Sequence, residues 1–191
     1  DGGTSFTDAG PTEGIDAVAT LIIEDGTGVP DAQAYFDAAF VTDYNDNHDQ
    51  DPAWGAADLA AQEVAIRRGT AYVTRAYRNM WPGKRTYQTQ GLPFPRTGIV
   101  DPDNFSISST TIPLAVKQAC AEAALRAVAG TSLLVDEAGG QNLIAESIQI
   151  DTIAINNQFS GRKQSLPRFR VIDAILEGAG LLASGFRRGP G

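Results

Sequence analysis

The sequence predicts a mainly α protein: a small helical bundle with a β-hairpin or extended β arm and extended N- and C-terminal arms. Three observations carry this prediction. Residues 56–80 and 112–129 repeat apolar side chains at helical spacing. Residues 143–155 switch to alternation, the period of a strand. The ends, 1–17 and 183–191, are Gly-rich and poor in large apolar groups. A chain of 191 residues, 42% hydrophobic and 20% charged, fits one globular domain, placed here at 18–182 between the two arms.

The elements follow in chain order. Ala19–Glu24 is a short apolar run, and Asp25-Gly-Thr-Gly-Val-Pro-Asp31 is turn chemistry. Pro30 suits a helix first turn, with Tyr35, Phe36, Ala39 and Phe40 on one face, giving a helix at about 30–45 that the Asp-rich stretch and Pro52 end. The helix at 56–80 carries Leu59, Ile66, Val73, Ala76, Tyr77 and Met80 as its stripe, and Pro82-Gly83 stop it. Residues 82–111 hold four prolines and three glycines with Tyr87, Phe94 and Phe105 as anchors, which reads as a structured loop. The helix at 112–129 has Thr111 as N-cap, Pro113 in its first turn and Gly130 at its stop. Glu122 and Arg126 sit at i,i+4 spacing on it, and Cys120 reads as a small core residue. Ile148 and Ile150 alternate, as do Ile153 and Ile155 after a slip at Asp151-Thr152, so 143–155 is either a hairpin or a bulged strand. Such an arm needs a cover, from its own bundle or from a neighbouring chain. A last helix spans 167–178, with Phe169, Ile172, Ile175 and Leu176 inward.

The net charge of −8 conceals a polarity. Residues 1–66 contain 14 acids and no Lys or Arg, whereas residues 67–191 contain 9 acids and 15 bases. Seven of those bases lie between Arg67 and Val100, where there is no acid. The longest uncharged run, Asn104–Val116, is 13 residues and rich in Ser and Thr, so no transmembrane helix fits. The first residues show no basic and apolar signal-peptide regions. One cysteine excludes an intrachain disulfide and a thiolate metal cluster, and suits a reducing compartment.

Enzyme signatures are scarce. His48 is the sole histidine, in the polar stretch Asp43–Asp51, and no phosphate-cradling, nucleophile-elbow or zinc-helix motif occurs. Asp43, Asn45 and Asn47 start like a calcium loop, but His48 stands where the loop needs Gly and Trp54 where it needs Glu. The expectation is no catalysis, no metal and no cofactor. A carboxylate-only site on Asp43, Asp46, Asp49 and Asp51 is the weaker enzyme alternative. One binding pattern does stand out. Arg67, Arg68, Arg75, Arg78, Lys84, Arg85 and Arg96 interleave with Tyr72, Tyr77, Trp81, Tyr87 and Phe94, which is the composition of a single-strand nucleic-acid groove. Against it, Tyr72, Tyr77 and Trp81 fall at helical spacing, so at least two of them read as core, and an isoelectric point near 4.5 disfavours free DNA binding.

Four segments in order carry a resemblance over most of residues 20–182. They are Leu21-Ile-Ile-Glu-Asp-Gly-Thr-Gly-Val-Pro-Asp-Ala32, Trp81-Pro-Gly-Lys-Arg85, Gln90-Gly-Leu-Pro-Phe-Pro-Arg-Thr-Gly98, and Ile112-Pro-Leu-Ala-Val116 leading to Ala121-Glu-Ala-Ala-Leu-Arg-Ala127. Together they resemble the head-to-tail adaptor (head completion or connector) proteins of tailed bacteriophages, many of which are grouped as a DnaT-like single-stranded-DNA-binding family. Phe94 replaces an expected Trp.

The resemblance implies a structural protein of the virion neck, made in the bacterial host cytoplasm. It implies a homo-oligomeric ring, about twelve-fold, built by head-to-tail contacts. Its implied partners are the portal and a stopper, tail terminator or tail tube protein, around a channel for double-stranded DNA. On that reading the basic face (Arg67, Arg68, Arg75, Arg78, Lys84, Arg85, Arg96) meets a neighbour or the portal. An acidic partner or lumen face would comprise Asp37, Asp43, Asp46, Asp49 and Asp51. Pro93, Phe94 and Pro95 of the loop, with Ile148, Ile150, Ile153 and Ile155 of the β arm, would dock. The alternative is a single-stranded nucleic-acid-binding module using the basic and aromatic 67–98 region.

Overall fold

The computed structural model describes residues 20–48, 50–134, 142–149, 154–160 and 166–182. These form helices α1 (Ala38–Asn47), α2 (Pro52–Ala56), α3 (Leu59–Ala76), α4 (Leu114–Val128) and α5 (Arg170–Gly178). Two antiparallel ladders accompany them: β1 (Lys84–Arg85) with β2 (Arg96–Thr97), and β3 (Asn142–Gln149) with β4 (Ala154–Ser160). The fold is thus mainly helical, as the sequence predicts. Among the described residues no helix is long and apolar enough to cross a membrane.

The first three helices all start at an aspartate. Asp37, Asp51 and Asp58 each accept a backbone N–H of the first turn, from Phe40 at 3.0 Å, Ala53 at 2.9 Å and Ala61 at 2.8 Å. Each satisfies an N–H that the helix itself cannot, worth about 1 kcal/mol.

The observed boundaries correct several expected ones. The first helix starts at Ala38 rather than near Pro30, because the preceding segment is held extended: Ala34 bridges Ile23, with Glu24 N donating to Ala34 O at 2.8 Å and Gln33 N to Ile22 O at 2.7 Å. The helix expected at 56–80 is interrupted by extended backbone at Ala57 and Asp58, and α3 ends at Ala76. Leu59 therefore sits at its exposed start, 63% accessible, instead of in the apolar stripe. At α4, Pro113 occupies the N-cap in place of Thr111, with no side-chain cap bond, while Gly130 follows the end at φ 85° as its stop position requires. The last helix begins at Arg170 rather than 167.

The core is built on α3 against α4. At their closest approach stands Gly69: a Cβ there would lie 2.6 Å from Ala124 N and 2.8 Å from Cys120 O, so only glycine lets the backbones meet. Around it Ile66, Tyr72, Val73 and Tyr77 pack with Val116, Ala119, Cys120, Ala123 and Ala124, and α5 adds Ile172 and Leu176. Burial pushes the Cys120 thiol up to about 12, which leaves it an inert packing group.

Three polar connections tie the packed layers. Tyr44 donates to Glu122 at 2.9 Å, and Glu122 also pairs with Arg126. Glu122 is buried, so this i,i+4 pair is part of an internal network rather than a surface ornament. Tyr77 donates to Asp173 at 2.5 Å, and Arg168 meets the same oxygen at 2.9 Å. Tyr72 donates to the Pro167 carbonyl at 2.5 Å, and the two tyrosines together clamp the α5 segment onto α3.

Of the open β-arm alternatives, the backbone adopts the hairpin. Ile148 stands opposite Ile155, and the register shift falls between Leu143 and Ala145. The second strand continues to Ser160, beyond the expected limit of 155. The expected slip at Asp151-Thr152, with Ile150 and Ile153, lies outside the described residues, as do the arms 1–17 and 183–191.

Candidate nucleic-acid interface

The outer side of α3 and the turn after it present Val64, Arg68, Ala71, Arg75 and Arg78 at steps of four and three residues. On a helix that spacing is one continuous stripe. Arg68, Arg75 and Arg78 are exposed, and so is Lys84 on β1. Among the described residues these four cations have no hydrogen bond or ion pair. The rise of a helix places Arg75 about 10 Å beyond Arg68.

The other basic residues of the region are occupied. Arg67 donates through Nε to Gln33 Oε1 at 2.8 Å and pairs with Glu63 at 3.2 Å. Arg85 reaches the Gln90 carbonyl at 3.1 Å. Arg96 acts as an internal clamp of the Pro/Gly-rich loop. Its guanidinium donates to the carbonyls of Pro82 (2.6 Å), Gly83 (2.7 Å), Trp81 (3.4 Å) and Pro93 (3.4 Å). Burial, with the charge of Arg85 directly across the ladder, lowers its pKa from the ordinary value.

The aromatics separate from the cations with which they interleave in sequence. Tyr72, Tyr77, Trp81 and Phe94 are all buried, and Phe94 N–H donates to Tyr35 OH at 3.2 Å. Trp81 meets Phe94 edge-on at 5.1 Å between ring centres. Tyr87 is half-buried against Gly28, where an added Cβ would meet its ring at 2.3 Å. Phe105, expected as a loop anchor, is instead 71% exposed. The Asp101 carboxylate holds its turn, accepting from Asp103 N at 3.0 Å and Phe105 N at 2.8 Å.

Of the loop residues expected to dock, Phe94 and Pro95 are buried in the loop's own packing and Pro93 is half-buried. Gln90, which sequence reasoning passed over, organises the loop: it accepts from Tyr87 N and donates to the carbonyls of Leu92 and Pro95. Of the proposed acidic face, Asp37 and Asp51 are helix caps, Asp43 and Asp46 are exposed on α1, and Asp49 lies outside the described residues. Asp43, Asn45 and Asn47 are wound into α1 and do not converge as calcium-loop ligands must. His48 ends that helix, with Nδ1 at 2.8 Å from Tyr44 O and its ring stacked on Tyr44.

A groove of about 320 Å³ lies beside the stripe, lined by Arg68, Ala127, Thr131, Ser132, Leu133 and Leu134. Nothing in the local sequence marks it, since its walls come from α3, from the end of α4 and from the segment after it.

Comparison with known proteins supplies one match. The family model described as "Putative DnaT-like ssDNA binding protein" covers residues 19–188. No curated protein and no solved structure matches the chain. The match corrects the head-to-tail adaptor reading: what it indicates is a single-stranded-DNA-binding family, with nothing to indicate a phage adaptor, a virion or connector component, or a ring. No portal or tail partner is supported either, whereas the nucleic-acid alternative agrees with the family's description. The chain belongs to the family described as putative DnaT-like ssDNA binding proteins.

Proposed function

We propose that the protein binds single-stranded DNA through the sugar–phosphate backbone, without catalysis, on the surface formed by Arg68, Arg75, Arg78 and Lys84. The observation that carries this is the set of four exposed cations with no protein partner among the described residues, on a chain whose family is described by ssDNA binding. A cation already paired has little to offer a phosphate, and Arg67 and Arg96 are in that position. Burial of Tyr72, Tyr77, Trp81 and Phe94 removes most of the aromatic stacking that the sequence pattern offers, so phosphate contacts dominate. Backbone contacts carry no sequence information, and the binding is therefore sequence-tolerant and strongly salt-dependent. The overall charge of −8 opposes any polyanion, so the stripe acts as a local field and affinity is modest.

The test is fluorescence anisotropy with labelled oligothymidylate over a salt series. Four released counterions give a slope of log K against log salt of about −3, from roughly −0.7 per phosphate on single strands. Replacing Arg68, Arg75 and Arg78 together by Gln should bring that slope to about −0.7, leaving only Lys84. Absence of binding at low salt overturns the proposal.

A further inference from the structure

The groove beside Arg68 has a composition that the phosphate contacts do not use. We propose that it is a nucleobase subsite: one base of the bound strand enters it while the adjoining phosphate rests on Arg68. This rests on the ssDNA reading of the stripe and extends it to a contact with the base itself.

The walls argue for a flat, neutral, partly apolar guest. Leu133 is 5% exposed and Leu134 half-buried, which gives an apolar floor. Thr131 and Ser132 are exposed, and their hydroxyls make no hydrogen bond among the described residues, so they can donate to or accept from a base edge. Among the described residues no carboxylate lines the groove. At about 320 Å³ it lies at the small end of ligand pockets and has room for a nucleobase.

Electrostatics decide which part of a nucleotide enters. The groove lies at the C-terminal end of α4, where Ala127 is the next-to-last residue and Thr131 N–H already returns to the Arg126 carbonyl at 2.9 Å. That end of a helix carries partial negative charge and disfavours a phosphate. A neutral base avoids the penalty, and Arg68 at the rim takes the phosphate. The same end charge weighs against a free anion deep in the groove.

Two labelled probes of equal length separate the contributions: oligothymidylate and an abasic deoxyribose-phosphate strand. The wild-type protein should bind the first about tenfold more tightly, within the range for one base buried or stacked. Thr131→Phe, which fills the groove from an exposed loop position, should bind both probes equally at the abasic affinity. Thr131→Val, which removes one hydroxyl and keeps the shape, should retain a reduced preference of about threefold, the loss of roughly one neutral hydrogen bond; it supplies the test independently should Thr131→Phe fail to fold. Arg68→Gln should weaken both probes by the same factor. If wild-type protein binds both strands alike, or Thr131→Phe or a folded Thr131→Val keeps the full preference, the base subsite is refuted while the phosphate surface stands. If neither probe binds at low salt, both readings fall.

Discussion

The acidic segment before Arg67 and the basic segment after it differ less in charge than in what their charges do. In the first, Asp37, Asp51 and Asp58 cap helices. Glu24 Oε1 accepts the N–H groups of both Gly26 and Gly28 at 2.9 Å, and Asp25 accepts from the Thr27 N–H and hydroxyl. Glu63 pairs with Arg67. Six of the nine acids among the described residues of this segment are therefore held by the chain's own donors. In the second segment, Arg68, Arg75, Arg78 and Lys84 face solvent with no partner among the described residues. Net charge alone would have assigned this protein to the anions. What matters for a partner is the charge left unengaged, and on α3 that charge is positive.

Among the engaged bases, Arg96 gives the most severe test. Arg96 should behave as a structural residue: Arg96→Ala removes donors to four loop carbonyls and is expected to cost about 2–3 kcal/mol in urea unfolding. A loss below about 0.5 kcal/mol, the range of ordinary surface changes, would place Arg96 with the free cations and break the contrast.

Next in size are the caps. Asp58→Ala should destabilise by about 1 kcal/mol, and Asp58→Asn, which keeps an acceptor, by much less. Equal effects would mean that charge, not the cap bond, is what matters there. Thermal unfolding of the Arg68, Arg75 and Arg78 triple Gln variant should instead stay within about 0.5 kcal/mol of wild type while DNA affinity falls.

The core aromatics give a pH test. Burial, and then the Asp173 carboxylate nearby, push Tyr72 up to about 12, and Tyr77 is raised well above its ordinary value by burial and by its hydrogen bond to Asp173. Below the unfolded tyrosine value of about 10 both states keep the proton and the contribution is complete. Above it the unfolded chain ionises while the fold resists, so stability should fall between about pH 10 and 12. Tyr72→Phe should flatten part of that fall. A profile flat to pH 12 would mean that these tyrosines are more exposed than the packing describes. The smallest effect belongs to the free acids: Asp43→Asn with Asp46→Asn should alter stability by less than about 0.5 kcal/mol and strengthen DNA binding slightly by lowering the opposing charge.

Much of this fold was legible because the signals are local. The 3.6 period marked α3 and α4, Gly130 marked a stop, and the alternating Ile positions marked the strand arm. The miss at 30–37 has an equally physical cause. Pro30 and the aromatic spacing satisfied a helix template, but hydrogen bonds to Ile22 and Glu24, about ten residues earlier, hold the segment extended. The groove at Arg68 was invisible to any window, because its walls are separated by some sixty residues of sequence.

The sequence by itself determined the helical class, the charge polarity and the list of cations available for binding. Periodicity, caps and composition are written in neighbouring residues, and they survive whatever the rest of the chain does. Only the tertiary structure decided which of those groups a partner can reach. Tyr72 is covered by Pro167 and Tyr77 by Asp173, each more than ninety positions away, while Arg75 and Arg78 in the same stretch face outward. Burial depends on which distant surface docks, so the interleaved aromatic and basic pattern resolved into a core and a separate cationic face only when α5 packed on α4 and its segment took the Tyr72 and Tyr77 hydroxyls.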